Sequence, residues 1–184
     1  MRSRRAITVT GACRKSRRPA RRAQRSPAVR VRRAVPGDVA LLCELSESYN
    51  NVIRRHARGK AATQLLGSER RFFERAVLGR EKDTMVLVAD CAGRGVGFVF
   101  ATVERTADDL VPAPYIDIAL LAVADSHRRR GVASKLVREV HREARSRRIV
   151  NVVLAAHEFN KGALAFYARL GYKTIMRKLR KRLR

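Results

Sequence analysis

The sequence predicts one domain of the mixed α/β class, in which helices flank a single sheet. The 184 residues are enough for one domain, and the 46% of apolar residues are enough for a buried core. Apolar residues recur with the helical period in some segments and with the strand period in others. The segments follow one another in the order β-α-α-β-β-β-α-β-α-β, which is typical of layered α/β structures.

The first three elements are predicted in the N-terminal part of the domain. Residues 29–32 alternate between apolar and basic side chains, as a strand does. Pro36 ends this strand, and Asp38 can cap the helix that follows. The apolar face of that helix consists of Leu41, Leu42, Leu45 and Tyr49. A second helix is predicted over 68–78, and the polar and basic stretch 50–62 is predicted to be a loop.

The remaining segments are predicted from their periodicity and their turn residues. Strands are expected over 84–90, 95–104, 115–123, 151–155 and 172–179, and helices over 131–147 and 160–170. The first two of these strands are joined by a four-residue turn and are predicted to form a hairpin. Residues 115–123 are an almost continuous apolar run, which indicates a central strand buried on both faces.

Charge is distributed unevenly along the chain. The net charge is +26, and residues 1–28 contain ten basic residues and no acidic one. Residues 177–184 contain six basic residues and no acidic one. The composition of 1–28 cannot bury enough apolar surface to offset the entropy of ordering. We therefore expect residues 1–28 to be a basic, disordered tail and residues 29–184 to be the folded domain.

Composition also bears on the class of function. Basic tails attract polyanions, so a nucleic-acid- or ribosome-associated protein is one reading of the chain. Against it, aromatic residues make up 5% of the chain and tryptophan is absent, which offers no platform for stacking bases. The three cysteines form no CxxC pair, so we expect neither a disulfide framework nor a metal site, and a reducing cytoplasm is the expected location. No run of about 18 apolar residues is present, and no membrane association is expected.

Residues 121–134 are the most informative segment, because a predicted strand there passes through a basic turn into a helix. The first amides of a helix have no intrahelical acceptor, and the helix dipole favours negative charge beside them. Gly131 leaves the backbone accessible, and the three preceding arginines add positive charge. This combination is typical of a turn that binds phosphate groups.

Two segments resemble sequence motifs of one enzyme family. Arg128-x-x-Gly131-x-Ala133 resembles the Arg/Gln-x-x-Gly-x-Gly/Ala motif of GNAT-superfamily N-acetyltransferases. Asn160-x-x-Ala163-x-x-Phe166-Tyr167-x-x-x-Gly171-Tyr172 is similar to a second motif of that family. The order of elements from residue 29 onward also resembles the family. The resemblance implies a GNAT-type acyl-CoA N-acyltransferase fold, with acetyl-CoA as the co-substrate and a primary amine as the acceptor.

The resemblance also implies which residues hold the coenzyme. Three strand residues would pair with the pantetheine arm through their backbone groups: Leu121, Ala122 and Val123. Six backbone amides would hold the pyrophosphate: Arg129, Arg130, Gly131, Val132, Ala133 and Ser134. Arg128 would lie beside it, and Asn160 would hydrogen-bond the pantetheine. Phe166 would lie near the coenzyme, although an apolar stripe of the helix explains this residue equally well.

Acetyl transfer to an amine needs a base for the amine, a donor for the oxyanion and an acid for the leaving thiolate. The amide of Val123 can serve the oxyanion. Asp117 is the first candidate for the base, because a carboxylate within an apolar strand seldom lacks a partner or a task. An ion pair between Asp117 and an arginine is the alternative, and Glu104 and Glu158 are further candidates for the base. By resemblance, Tyr167 would lie at the sulfur, where a phenol with a pKa of about 10 is suited to give a proton.

The acceptor is not identified by the sequence. The resemblance places the acceptor site at the first two helices and their loops, about residues 49–73. Basic residues cluster there, which favours an acidic or phosphorylated acceptor: Arg54, Arg55, His56, Arg58 and Lys60. A non-catalytic acyl-CoA-binding protein of the same fold is a further alternative. A homodimer, and weak contacts between the basic tails and polyanions, are left open.

Overall fold

The computed structural model describes residues 28–56, 69–79 and 83–181. The described residues form five strands: β1 (Val29–Arg33), β2 (Thr84–Cys91), β3 (Arg94–Glu104), β4 (Tyr115–Val123) and β5 (Asn151–Leu154). They also form four α-helices: α1 (Val39–His56), α2 (Glu69–Val77), α3 (Val132–Ser146) and α4 (Lys161–Arg169). Short 3₁₀ turns lie at Pro36–Asp38 and Asp125–His127.

The strands form one mixed sheet, as the sequence predicted. Their order is β1-β2-β3-β4-β5, with antiparallel pairing between successive strands from β1 to β4 and parallel pairing between β4 and β5. The predicted hairpin joins β2 to β3 through Ala92 and Gly93, which have φ angles of 54° and 81°. Two positive φ angles in a two-residue loop match the right-handed twist of the paired strands.

Two apolar clusters hold the helices against opposite faces of the sheet. Leu136 of α3 and Ile116 of β4 are fully buried in the first cluster, which we call the α3 cluster. Leu42 of α1 and Phe73 of α2 belong to the second cluster, where the rings of Phe73 and Phe98 meet edge to face at 5.7 Å. Burial of one such side chain contributes about 1.5–3 kcal/mol. The sheet is therefore covered by α3 on one face and by α1 and α2 on the other.

Asp38 was predicted to cap α1, but its carboxylate instead bonds backwards, to the residues that precede this helix. Its carboxylate accepts hydrogen bonds from the backbone N–H of Val35 at 2.8 Å and from both terminal nitrogens of Arg32, at 2.6 and 2.9 Å. The Arg32 guanidinium holds the pKa of Asp38 below its usual range. The bonds lead back from the 3₁₀ turn to β1, so Asp38 links β1 to the beginning of α1.

Helix α1 is longer than predicted. Residues 50–56 are helical, so the predicted loop over 50–62 is wrong for this part, and 57–62 lie outside the described residues. Extending an existing helix costs less than starting one, and polar residues are tolerated on its exposed side. None of the described helices is both long and apolar enough to span a membrane.

The predicted last strand over 172–179 is not formed. Residues 172–181 have no regular structure, and Ile175, Met176 and Leu179 are 59%, 64% and 90% exposed. A strand requires a neighbour that satisfies its backbone groups, and no described strand pairs with this segment. The apolar residues of this segment are therefore not evidence of a buried face.

Candidate active site

Strands β4 and β5 separate part-way along β4. β5 pairs only with residues 115–118, whereas β4 continues to Val123. Burial on both faces, as predicted for the whole strand, is found only near its start: Ala119 is exposed and residues 120–123 are half-buried. The second half of β4 therefore has no strand paired to it on the β5 side among the described residues, and we call this unpaired edge the β4–β5 opening.

β4 presents backbone groups to the β4–β5 opening. The backbone N–H of Ala124 donates to Val96 on the β3 side at 2.9 Å, so the alternation of an antiparallel pair turns the groups of Val123 and Leu121 away from β3. The backbone groups of Ala122 point towards β3 instead. Of the three residues expected to pair with an added strand, Leu121 and Val123 have the required orientation.

The β4–α3 turn (residues 124–131) continues this edge into α3. Arg129 and Gly131 have φ angles of 59° and 79°, and a Cβ on Gly131 would meet nothing within 4 Å. The backbone N–H groups of 129–134 have no hydrogen-bond acceptor among the described residues, and no side chain caps α3. Six successive free amides at a helix N-terminus favour an anion, as the sequence predicted for this turn.

Arg128 holds the turn against β4. Its Nε donates to the C=O of Val123 at 3.2 Å, and a terminal nitrogen lies 2.8 Å from the carboxylate of Asp125. Arg129 and Arg130 are exposed beside it. The positive charge next to the free amides is therefore supplied chiefly by Arg129 and Arg130, while Arg128 stabilises the turn.

Helix α4 begins at Asn160 and carries the second group of candidate residues. The side-chain oxygen of Asn160 accepts from the N–H of Ala163 at 3.1 Å, which caps the helix and leaves the side-chain NH₂ for other partners. Phe166 packs against the α3 cluster, so its apolar role is present in the fold. Its ring centroid lies 5.0 Å from that of Tyr167.

Tyr167 is half-buried, and its hydroxyl has no hydrogen-bond partner within the described part of the chain. Burial, with a contribution from the nearby Tyr49, raises the pKa of Tyr167 to about 12. The phenol is therefore protonated at neutral pH. Tyr49 lies on α1, so the phenol of this helix is near enough to affect the ionisation of Tyr167.

Asp117 is half-buried in β4, between two residues that face the α3 cluster, so its side chain is on the face of α1 and α2. It makes no hydrogen bond or ion pair with any described residue. Burial raises the pKa of Asp117, and the nearby carboxylates of Glu104 and Asp108 raise it further. The arginine partner that the sequence offered as an alternative is not found among the described residues.

The other candidates for a base have partners. Glu104 accepts a hydrogen bond from the Thr102 hydroxyl at 2.7 Å. Glu158 is exposed and pairs with Lys161 at 2.6 Å, a contact that lowers the pKa of Glu158. Asp117 is thus the candidate carboxylate that lacks a described partner.

A groove of about 490 Å³ lies between α1 and the β4–α3 turn, and we call it the α1 groove. It is lined by Glu44, Glu47, Ser48, Asn51, Val52, Arg55, Asp125 and Arg128. Of the five basic residues expected on the acceptor side, only Arg55 has a described side chain. The groove carries both acidic and basic groups, whereas the sequence suggested a basic surface.

Within 28–56, 69–79 and 83–181, no group of three His, Cys, Asp or Glu residues could hold a metal ion. Cys43 and Cys91 are not disulfide-bonded, and Cys13 lies outside those ranges.

Comparison with known proteins decides the family. The profile of the Acetyltransferase (GNAT) family matches residues 50–172, which include β2 to β5, the β4–α3 turn and α4. The chain belongs to the GNAT acetyltransferase family. The match contains both segments that resembled GNAT motifs, and no curated protein sequence matches the chain.

Solved structures resemble this GNAT protein over most of its length. A tetramutant of the BH1408 protein from Bacillus halodurans has a TM-score of 0.71 at 19% identity, covering 84% of this chain and 99% of that chain. The aminoglycoside N-acetyltransferase AAC(6′)-Iy, solved in complex with CoA, has a TM-score of 0.67 at 17% identity, covering 88% and 98%. The PaiA N-acetyltransferase from Thermoplasma acidophilum, also in complex with CoA, has a TM-score of 0.66 at 14% identity, covering 79% and 90%. At these identities the likeness shows a shared fold.

Two interactions near the candidate residues were not predicted from the sequence: the electrostatic effect of Tyr49 on Tyr167 and the hydrogen bond between His141 and Tyr172. Tyr49 was assigned to the apolar face of α1, and nothing in its spacing indicates that it approaches Tyr167. His141 shares a hydrogen bond with Tyr172, and no ligand-like spacing of histidines indicated this. Both interactions join segments that are far apart in sequence.

Proposed function

We propose that this GNAT protein transfers the acetyl group of acetyl-CoA to a primary amine by direct attack in a ternary complex. The observation that carries the proposal is the continuous edge formed by β4, the β4–α3 turn and α3. This edge offers the backbone groups of Leu121 and Val123 in the β4–β5 opening, followed by six free amides. An extended arm that ends in a pyrophosphate, as coenzyme A has, matches that order of groups.

The coenzyme is held mainly by backbone groups in this proposal. The free amides of 129–134 bind the pyrophosphate, and Arg129 and Arg130 add charge. The free NH₂ of Asn160 donates to the pantetheine arm while its oxygen caps α4. The N–H of Val123 points into the β4–β5 opening, where it can donate to the thioester oxygen as that oxygen gains charge.

Asp117 is proposed as the base. An ammonium group cannot attack a thioester, so its proton must leave first, directly or through water. A carboxylate with a raised pKa is a better proton acceptor than an ordinary one, because its pKa lies closer to the working pH. Asp117 faces α1 and α2, the side on which the family resemblance places the acceptor.

Tyr167 is proposed as the donor to the leaving thiolate. The amine nitrogen forms a bond to the thioester carbon, and the bond from that carbon to sulfur then breaks. With a pKa of about 12, the phenol is a weaker acid than a thiol, whose ordinary pKa is about 8.5. Proton transfer from Tyr167 to the thiolate is therefore unfavourable by itself. It goes to completion only when the phenolate regains a proton from the amine nitrogen.

The acceptor amine enters through the α1 groove in this proposal. Glu44, Glu47 and Asp125 can attract an ammonium group, while Arg55 can attract an anionic group on the same molecule. A panel of amines that varies net charge therefore tests the site more sharply than a single substrate class does.

Two measurements test the proposed function. At a concentration of one hundred times its Kd, acetyl-CoA should stabilise the protein by about 2.7 kcal/mol and raise Tm by roughly 5–10 °C. At least one amine of the panel should then release free thiol from acetyl-CoA. If calorimetry detects no coenzyme binding, the proposed function is wrong. Binding without thiol release for any amine would favour a non-catalytic acyl-CoA-binding protein.

Tyr167→Phe separates the catalytic role from a packing role in the same assay. The substitution keeps the ring and removes the proton donor. We expect acetyl-CoA to bind within a few-fold of wild type and turnover to fall by at least about a hundredfold. Turnover close to wild type would remove Tyr167 from the mechanism without changing the family assignment.

A further inference from the structure

Tyr172 is attached to Tyr167 in two ways. Its backbone N–H donates to the C=O of Tyr167 at 3.1 Å. Its ring meets the Tyr167 ring edge to face, with centroids 5.6 Å apart and planes at 68°. Gly171, with a φ of +89°, makes the sharp turn that folds Tyr172 back onto the end of α4. The orientation of the Tyr167 ring is therefore constrained by Tyr172.

Tyr172 is in turn attached to α3. Its hydroxyl and Nε2 of His141 lie 2.8 Å apart and share a hydrogen bond. The two rings are also neighbours, with centroids 5.7 Å apart. Burial lowers the pKa of His141, and the charge of Arg145 lowers it further, so the imidazole is neutral at neutral pH. Both partners are half-buried.

His141 lies on the same helix that offers its first-turn amides to the coenzyme. A chain of directional contacts thus runs from α3 through His141 and Tyr172 to the Tyr167 ring. The apolar packing of Phe166 and Leu170 also brings α4 towards α3, but such packing is not directional. A hydrogen bond between the two segments restricts their relative position more narrowly.

We propose that Tyr172 and His141 are positioning residues, whose hydrogen bond sets the position of the Tyr167 phenol relative to the coenzyme held by α3. The inference rests on the proposed acetyl transfer and adds a structural requirement to it. The thiolate position depends on how α3 holds the coenzyme, whereas the phenol position depends on α4. A misplacement of about 1 Å between reacting groups can cost up to a hundredfold in rate.

The inference is tested by measuring the single-turnover rate of thiol release in four variants, with the amine of the panel that reacts fastest. Tyr172→Phe and His141→Leu should each lower the rate about tenfold and leave the Kd of acetyl-CoA within twofold of wild type. The double variant should be no slower than either single one, because both remove the same hydrogen bond. His141→Gln, which keeps a donor and an acceptor, should recover most of the rate.

Two further comparisons distinguish positioning from a general loss of stability. Tyr172→Phe should have no additional effect in a Tyr167→Phe background, because the hydroxyl that it positions is already absent. Val140→Ala, next to His141 in the core of α3, should lower Tm without lowering the single-turnover rate. Unchanged rates in both single variants, additive losses in the double variant, or an equal loss in Val140→Ala would overturn the inference.

NMR spectroscopy tests the same connection from His141 through Tyr172 to Tyr167 without an activity measurement. The chain has four tyrosines, so ring-carbon NMR signals can be assigned one by one with Tyr→Phe variants. His141→Leu should shift the signals of Tyr172 and Tyr167 and leave that of Tyr115 in place. An unmoved Tyr167 signal would overturn the inference even if acetyl transfer is shown, and a shifted one would support the link even if the amine panel fails.

Discussion

Asp117 is a half-buried carboxylate to which no described arginine is paired, in a chain with a net charge of +26. Burial and two nearby carboxylates both oppose its ionised form. A group held in this way destabilises the folded protein at neutral pH, and groups with perturbed pKa values concentrate at functional sites. If Asp117 is the base, as proposed, its catalytic role comes at a cost in stability.

We predict that Asp117→Asn raises Tm at pH 7. The folded protein binds the proton of Asp117 more tightly than the unfolded chain does, so the pKa is raised on folding. The resulting stability is fully present below the unfolded pKa, near 3.8, and is lost as the pH rises through the raised folded pKa. The Tm gain of the variant should thus be present at pH 7 and vanish near pH 3 in thermal melts.

The same variant should lower turnover about a hundredfold. The loss should be largest at pH values between the raised pKa of Asp117 and the pKa of the amine. Above the pKa of the amine, the amine is already neutral and needs no base. Asp109→Asn, an exposed carboxylate on the preceding loop, is the matched control and should change neither property. A lower Tm of Asp117→Asn at pH 7 would mean that Asp117 makes a stabilising contact and is not strained by burial.

At the scale of elements, the β4–α3 turn combines an accessible backbone with a conformation that disfavours side chains. The space in front of Gly131 is empty, so glycine is required there for its positive φ and not for room inside the protein. A long side chain at this position would lie beside the free amides of the turn. Backbone strain and blocked binding can therefore be measured separately at this position.

We predict that Gly131→Glu abolishes the stabilisation by acetyl-CoA. A carboxylate at this turn both occupies the anion site and repels the pyrophosphate. Gly93→Glu is the matched control, because Gly93 has a φ of +81° and equally open surroundings in the β2–β3 hairpin. Both variants should lose about 1–2 kcal/mol of stability from the left-handed conformation, as thermal melts measure. Only Gly131→Glu should lose coenzyme binding in calorimetry, and retained binding would place the pyrophosphate elsewhere.

At the scale of the whole molecule, a large share of the net charge lies outside the segments of the proposed chemistry. The first 28 residues hold ten of the basic residues and none of the acidic ones. Val29 is held in the fold by two contacts: it pairs with Cys91, and its C=O accepts from Lys135 of α3 at 2.9 Å. Truncation can therefore test whether the expected contacts with polyanions are separable from the proposed acetyl transfer.

We predict that deleting residues 1–28 changes Tm by less than about 2 °C and leaves the Kd of acetyl-CoA unchanged. The affinity for single-stranded RNA should fall, and its dependence on salt should become less steep. A full-length variant with the ten basic tail residues replaced by glutamine should behave like the truncation, because charge and not length carries the effect. A large loss of Tm on truncation would show that the domain begins before residue 29.

Local sequence patterns were sufficient to predict most elements of the fold. Hydrophobic periodicity identified all four helices and five of the six expected strands, because it reports which faces of a segment are buried. The strand–turn–helix at 121–134 was predicted as an anion site, since unpaired amides follow from where a helix starts. The predicted strand over 172–179 was wrong because a strand also needs a neighbour, and no local pattern supplies one.

The tertiary structure alone decided how the groups of the candidate site are arranged. The β4–β5 opening exists because β5 ends at Leu154 while β4 continues, and that is a property of two strands and not of either sequence. The raised pKa of Asp117, the approach of Tyr49 to Tyr167 and the bond between His141 and Tyr172 depend on groups that are distant in sequence. The sequence by itself determined most of the elements and the family, because both follow from local patterns. Which side chains meet, and with what charge beside them, was decided only when the elements packed together.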